Sequence, residues 1–277
     1  MILAAALARL PQPAGDWEGR HTLGPRPRGT PSLSDLAQDD AALARLVGIK
    51  QAQAKGGDAK LGCAYLIGDL GWELGSLLSG LWLSGWRVSA ADPAAVALST
   101  RAVAWEEADE SGVAMVFDLP LDPGGLVGEG MQPDDLARAM TALLSPLIAA
   151  LTRLTGLGAT AQWRLVGDGL AAALVHRGKA LGCLDAALDL GRSILSERPS
   201  KLRSRQTEFI EIRLPHRPDV SDWFRLRGGC CRYYTAAGES GEYCATCVLR
   251  DRDDQIARLA DWLDESRAPP QADLDRG

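Results

Sequence analysis

The 277-residue sequence has no excess of positive charge, no long apolar run and no evident internal repeat. Thirty Lys and Arg against 36 Asp and Glu leave a net charge of −6. That balance supplies no overall basic field to hold nucleic acid or an anionic membrane surface. The opening MILAAALARL has no basic residue ahead of its apolar segment, and a Pro-rich stretch follows it instead of a cleavage region. No signal peptide is expected from that pattern. The longest charge-free, apolar-rich runs, residues 74–86 and 139–152, fall short of the roughly 20 residues that span a bilayer. Both read as core helices, and no stable membrane insertion is expected. A Ser/His/Asp or two-carboxylate catalytic signature is also missing. The Gly-x-Gly of GDGLAAAL lacks the third glycine and the strand-plus-acid setting of a dinucleotide site.

The chain is 46% apolar, which is ample for a buried core. Residues 1–30 read as an irregular N-terminal arm, Pro- and Gly-rich from residue 11. Residues 31–196 read as a helical α+β domain. Within it, helices are expected over 34–49 with Ser34 as N-cap, over about 60–84, over 133–155 from the Pro133-Asp134-Asp135 start, and over 161–176 and 180–196. STRAVAWE (99–106) and GVAMVFD (112–118) form a hairpin signal. The composition turns polar and basic at ERPSKLRSR, and the long helical patterns stop there. Residues 197–277 read as a C-terminal module: the strand-like TEFIEIRL, then WFRLR, a cysteine segment, and a last helix with Ile256, Leu259, Ala260 and Leu263 on one stripe. The fold class is therefore α+β, predominantly helical, with a small antiparallel sheet.

The chemistry is concentrated in RGGCCRYYTAAGESGEYCATCVLR, residues 227–250, which holds four of the six cysteines. Cys230, Cys231, Cys244 and Cys247 form the pattern C-C-x12-C-x2-C. Disulfides are rare in a reducing compartment. Four thiolates suit tetrahedral zinc, and C-x2-C is half of many zinc sites. An adjacent Cys-Cys, however, points its side chains to opposite sides in extended chain, which fits the wider ligand spacing of a [2Fe-2S] cluster. Gly228-Gly229 and the glycines of 238–241 would let backbone N–H groups approach the cluster sulfides. On the residues alone, zinc and iron–sulfur both stand.

The same residues resemble the siderophore ferric-iron reductase family (FhuF type). That family carries Cys-Cys-x10-Cys-x2-Cys near the C-terminus, preceded by a basic residue and followed by an aromatic. The matching positions are Arg227, Cys230, Cys231, Tyr233, Tyr234, Cys244 and Cys247, with an inner spacing of twelve instead of ten. The resemblance implies a C-terminal [2Fe-2S] cluster held by the four cysteines. It also implies one-electron reduction of a ferric siderophore, of hydroxamate type, with release of Fe(II) in the cytoplasm. An external electron donor would be required. Hard oxygen ligands hold Fe(II) less well than Fe(III), so one electron releases the metal. Two readings stand beside this one: a zinc-stabilised, non-redox binding module, and an iron–sulfur electron-transfer or iron-sensing protein.

Trp223, Arg227, Tyr233 and Tyr234 are the candidate substrate-binding residues, as an aromatic and cationic surface beside the cysteines. Cys63 and Cys183 read as buried inert thiols. Asp69 and Glu73, at i and i+4, read as the wet edge of a helix.

Overall fold

A computed structural model describes residues 3–11, 19–54, 56–86, 88, 90–107, 110–122, 124–128, 133–236 and 243–267. The chain is mixed α+β and mostly helical. Its order is α1 (Leu3–Leu7), β1 (His21–Leu23), α2 (Leu33–Gln38), α3 (Asp40–Ala52), α4 (Ala59–Leu83), β2 (Ala90–Ala91), β3 (Ser99–Glu107), β4 (Glu110–Leu121), β5 (Leu126–Val127), α5 (Pro133–Thr155), α6 (Ala159–Ala180), α7 (Leu184–Ser196), β6 (Glu208–Leu214), β7 (Arg217–Leu226) and α8 (Arg252–Ser266). Sheets are small: β1-β4-β3, the pair β2-β5, and the hairpin β6-β7.

Helix α4 forms the axis of the larger core. Leu61, Leu66, Ile67, Leu70, Leu74, Leu77, Leu78 and Leu81 are all fully buried, so both sides of the helix are covered, as its almost unbroken apolar sequence requires. Asp58 starts it by accepting the Leu61 N–H at 2.8 Å, which satisfies one of the unpaired first-turn donors. Helix α6 crosses α4 at very short range. A Cβ on Gly169 would come within 2.6 Å of the Gly71 carbonyl carbon and the Trp72 nitrogen. Only glycine at that crossing lets the two backbones meet. Helix α5 covers another side with Leu136, Met140, Leu143, Leu147 and Leu151 at helical spacing, all buried. It is long and apolar enough to cross a membrane, yet that face is packed in the core.

Several expectations need adjustment. A single helix over 34–49 is in fact two. Asp39 closes α2 and caps α3 by accepting the Ala42 N–H at 2.9 Å. The N-cap of α2 is Ser32, not Ser34: Ser32 Oγ accepts from Asp35 N while Asp35 accepts from Ser32 N. That reciprocal arrangement is a capping box. The expected arm at the N-terminus contributes a strand, β1, parallel to β4 with His21 opposite Leu119; residues 12–18 of that arm lie outside the described residues. Strand β4 also starts earlier than its sequence pattern indicates, with Ser111 paired to Glu106 and Glu110 to Glu107.

A second, smaller core lies between the β6-β7 hairpin and α8. Ile212, Leu214 and Leu226 from the sheet meet Leu259 and Leu263 from the helix. The stripe on the last helix therefore has its partner in the hairpin. Among the described residues, no separate iron–sulfur module is evident.

Candidate functional site

Cleft and cysteine segment meet where α4 and α6 diverge from their crossing. Tyr65, Asp69 and Trp72 of α4 form one wall; Leu165, Asp168 and Ala172 of α6 form the other. Arg225 and Arg227, with Cys231, Tyr233 and Cys244, close the third side of a cavity of about 460 Å³.

The start of the cysteine segment is held there by the Asp168 carboxylate. Asp168 is 4% exposed. Its Oδ1 accepts the Gly228 N–H at 2.8 Å and the Thr207 hydroxyl at 2.8 Å, and its Oδ2 accepts the Gly229 N–H at 2.9 Å. Arg225 Nη1 stands 3.9 Å from the same carboxylate. A buried carboxylate needs such partners to offset its lost hydration. The two glycines are needed for this approach, since a Cβ on Gly228 would fall 2.4 Å from Thr207 Oγ1 and one on Gly229 3.0 Å from Leu165 N. The expected role of Gly228-Gly229, to bring amides against cluster sulfides, is thus corrected: their amides donate to Asp168. The second expected glycine group, 238–241, lies outside the described residues.

The four motif cysteines are reduced and differ in setting. Cys231 and Cys244 both line the cleft, and the neighbouring Cys244 thiol together with the Arg227 guanidinium holds the Cys231 thiol below its usual range. The Cys231 sulfur and burial push Cys244 up. Of the pair, Cys231 is the one whose setting favours the anion. Arg227 Nη1 lies 3.7 Å from Cys244 Sγ. Cys230 Sγ instead accepts the Arg232 N–H at 3.4 Å, where Arg232 adopts a left-handed backbone with φ 64°; burial pushes this thiol up. Cys247 is buried, with its carbonyl accepting from Gln255 Nε2 at 2.6 Å.

This arrangement overturns the cluster expectation. Among the described residues, no group of three or more His, Cys, Asp and Glu side chains is placed to hold a metal ion. Cys230, Cys231, Cys244 and Cys247 are therefore not placed as a four-thiolate set, and Cys230 Sγ is engaged by a backbone amide. The residues do not fit a [2Fe-2S] cluster. With that ligand set go the ferric-siderophore reductase activity, the iron–sulfur and metal-binding assignments, and the resemblance to the reductase family that rested on the motif. The zinc and iron-sensing alternatives fail on the same geometry. No known family model matches the chain, and no curated protein is significantly similar to it.

The four candidate substrate residues separate. Arg227 and Tyr233 line the cleft. Tyr234 packs edge-on against Tyr243 with centroids 5.6 Å apart, and the Trp223 ring meets the Arg192 guanidinium at 5.6 Å on a different face. Cys63 is fully buried, and burial pushes its thiol up to about 11; Cys183 stands partly exposed at the N-cap of α7.

Of the expected wet edge, Asp69 keeps a side chain 47% exposed, but Glu73 is buried. Lys50, itself buried, donates to Asp69 at 2.6 Å on the cleft wall. One turn further in, Glu73 is 6% exposed and lies 3.8 Å from His21 Nε2. Burial, with Asp69 adding to it, pushes Glu73 up to about 8, and burial together with Arg177 pushes His21 down to about 4. Near neutrality this buried pair is uncharged.

Sequence reading did not reach Asp168, Tyr65 or Trp72. Asp168 had a usable signal. It is a lone acid between two glycines inside an apolar helical segment, and a buried carboxylate in such a setting requires donors from elsewhere in the chain.

Proposed function

We propose that the protein binds a small molecule in the α4/α6 cleft and presents the Cys231 thiolate to it as a nucleophile. The observation that carries this reading is the placement of Cys231 in the cleft wall beside Cys244 and Arg227, with the guanidinium donating to Cys244 Sγ at 3.7 Å. A thiolate is the reactive form of cysteine, and a neighbouring guanidinium and thiol donor both favour it. The cavity offers the rest of a binding site. Tyr65, Trp72 and Tyr233 supply aromatic surface, and Arg225 Nε is buried with no hydrogen-bond partner among the described residues. A ligand acceptor atom would satisfy it.

In the reaction this supports, Cys231 Sγ attacks a soft electrophilic carbon of the bound molecule, a bond from sulfur to carbon forms, and the leaving group departs. Loss of the Cys231 charge frees the Cys244 proton, which passes to the leaving group. Arg227 stabilises the anion before attack and loses that partner afterwards. The ferric siderophore expected as a partner enters here as a candidate ligand without a redox role.

Ligand protection tests the reading. The intact protein is treated with iodoacetamide while candidate ligands are added: a ferric hydroxamate, aromatic carboxylates and thioesters. Mass spectrometry then follows each cysteine. Cys231 is expected to react faster than the partly exposed Cys183, and at least one ligand should slow Cys231 alone, with that protection lost in Tyr65→Ala or Trp72→Ala. Equal rates at Cys231 and Cys183, with no protection by any ligand, would sink it.

A further inference from the structure

The most basic stretch of this acidic chain plays no part in the thiolate cleft. ERPSKLRSR, residues 197–205, carries Arg198, Lys201, Arg203 and Arg205. It links the end of α7 to β6 and borders a second cavity, of about 470 Å³, lined among others by Arg192, Ser196, Arg203, Arg205, Thr207 and Glu208. The charges around it are unevenly matched. Arg192 is paired with Asp189 at 3.1 Å, and Glu208 is taken by Arg252. The side chains of Arg203 and Arg205 make no ion pair or hydrogen bond among the described residues, and Arg198 and Arg205 both act on Arg203 as like charges.

Arginines that merely complement a helix C-terminus would bond its free carbonyls. Here two of those of α7 are already engaged by backbone amides: the Ser193 carbonyl accepts from Glu197 N at 3.1 Å, and the Leu195 carbonyl from Ser204 N at 3.1 Å. Two unpaired guanidiniums at the rim of a concavity, held against mutual repulsion, leave five N–H donors each in fixed forks. Phosphoryl oxygens match those forks in pairs, which a lone carboxylate does less completely. We propose that this pocket binds the phosphoryl group of a small phosphorylated molecule, with Arg203 and Arg205 as its ligands. The proposal does not rest on the thiolate reading, although Thr207 of this pocket donates to Asp168 of the cleft.

Isothermal titration of the full chain with pyrophosphate tests it. One saturable site is expected, weakened by added salt. Arg203→Gln combined with Arg205→Gln should weaken it about 10- to 100-fold, the range for losing charge-assisted hydrogen bonds. Neither side chain is buried, so the variant keeps its fold, checked by circular dichroism. Arg258→Gln, on the exposed side of α8 and paired only with Asp254, should leave affinity unchanged. Absence of saturable binding, unchanged affinity in the double variant, or an equal loss in Arg258→Gln would each overturn the assignment.

Discussion

Asp168 Oδ1 accepts the Gly228 N–H at 2.8 Å, so the backbone that presents the reactive thiolate is fastened to helix α6 and not to its own sheet. The cleft thereby inherits the rigidity of the α4/α6 crossing. Removing that acceptor should be costly. Asp168→Ala leaves the Gly228 and Gly229 amides unpaired and Arg225 buried without its carboxylate, and it is expected to destabilise the protein by about 3–5 kcal/mol. Urea unfolding measures this, and a loss of under about 1 kcal/mol would show that the tie is dispensable.

The helix crossing itself gives a second expectation. Gly169→Ala places a Cβ against the α4 backbone at Gly71 and Trp72, where no flexible side chain can yield. Overpacking of that kind costs about 1–3 kcal/mol. The displacement would also shift Trp72 relative to Asp168, so ligand protection of Cys231 should fall along with the unfolding midpoint.

The smaller core should respond separately. Leu263 is fully buried between α8 and the β6-β7 hairpin, and Leu263→Ala is expected to cost about 2–5 kcal/mol. Hydrogen exchange should show the loss concentrated in β6, β7 and α8 while α4 and α6 keep their protection. Uniform loss of protection across α4 and α6 would mean that the two cores unfold as one.

Glu73 sets a pH dependence. Its folded pKa, about 8, lies above the ordinary carboxylate value of 4.5, so the folded state holds a proton that the unfolded chain releases. Stability from that proton is present below pH 4.5 and is lost as pH rises toward 8. His21, lowered from 6.5 to about 4, works in the opposite sense, adding stability as pH rises from 4 to 6.5. The two offset one another up to pH 6.5, and Glu73 alone acts above it. Between pH 6.5 and 8 the protein should lose up to about 1.4 kcal/mol per pH unit relative to Glu73→Gln. Parallel stability curves for the two proteins in that window would rule this out.

Much of the architecture could be read from periodicity. The apolar spacing of Leu136, Met140, Leu143 and Leu147 marked α5, and the stripe through Leu259 and Leu263 marked α8, because helix faces that meet a core leave a local pattern. Alternation marked the β3-β4 hairpin for the same reason. The capping of α2 by Ser32 and the break at Asp39 were less legible, since serine and aspartate occur at several nearby positions and only backbone geometry selects among them. The site was legible in part. The density of cysteines pointed to the right segment, but motif spacing cannot tell convergence on a metal from pairing of two thiols, which depends on where Arg227, Asp168 and the helix crossing place the loop. Glu73 was misread because an i, i+4 carboxylate pair looks alike on a wet face and on a face covered by a distant strand carrying His21.

The central claim is that Cys231 is a thiolate made so by Cys244 and Arg227. It is tested most directly by the pH dependence of Cys231 alkylation, followed by mass spectrometry on the intact protein from pH 4 to 10. The account predicts a rate that rises with a midpoint below the ordinary thiol range and shifts upward in Cys244→Ala and in Arg227→Gln, with Cys244→Ser restoring part of the shift because its hydroxyl can still donate. A Cys231 rate that rises only near the ordinary thiol range of about 8.5, unchanged in all three variants, would contradict it.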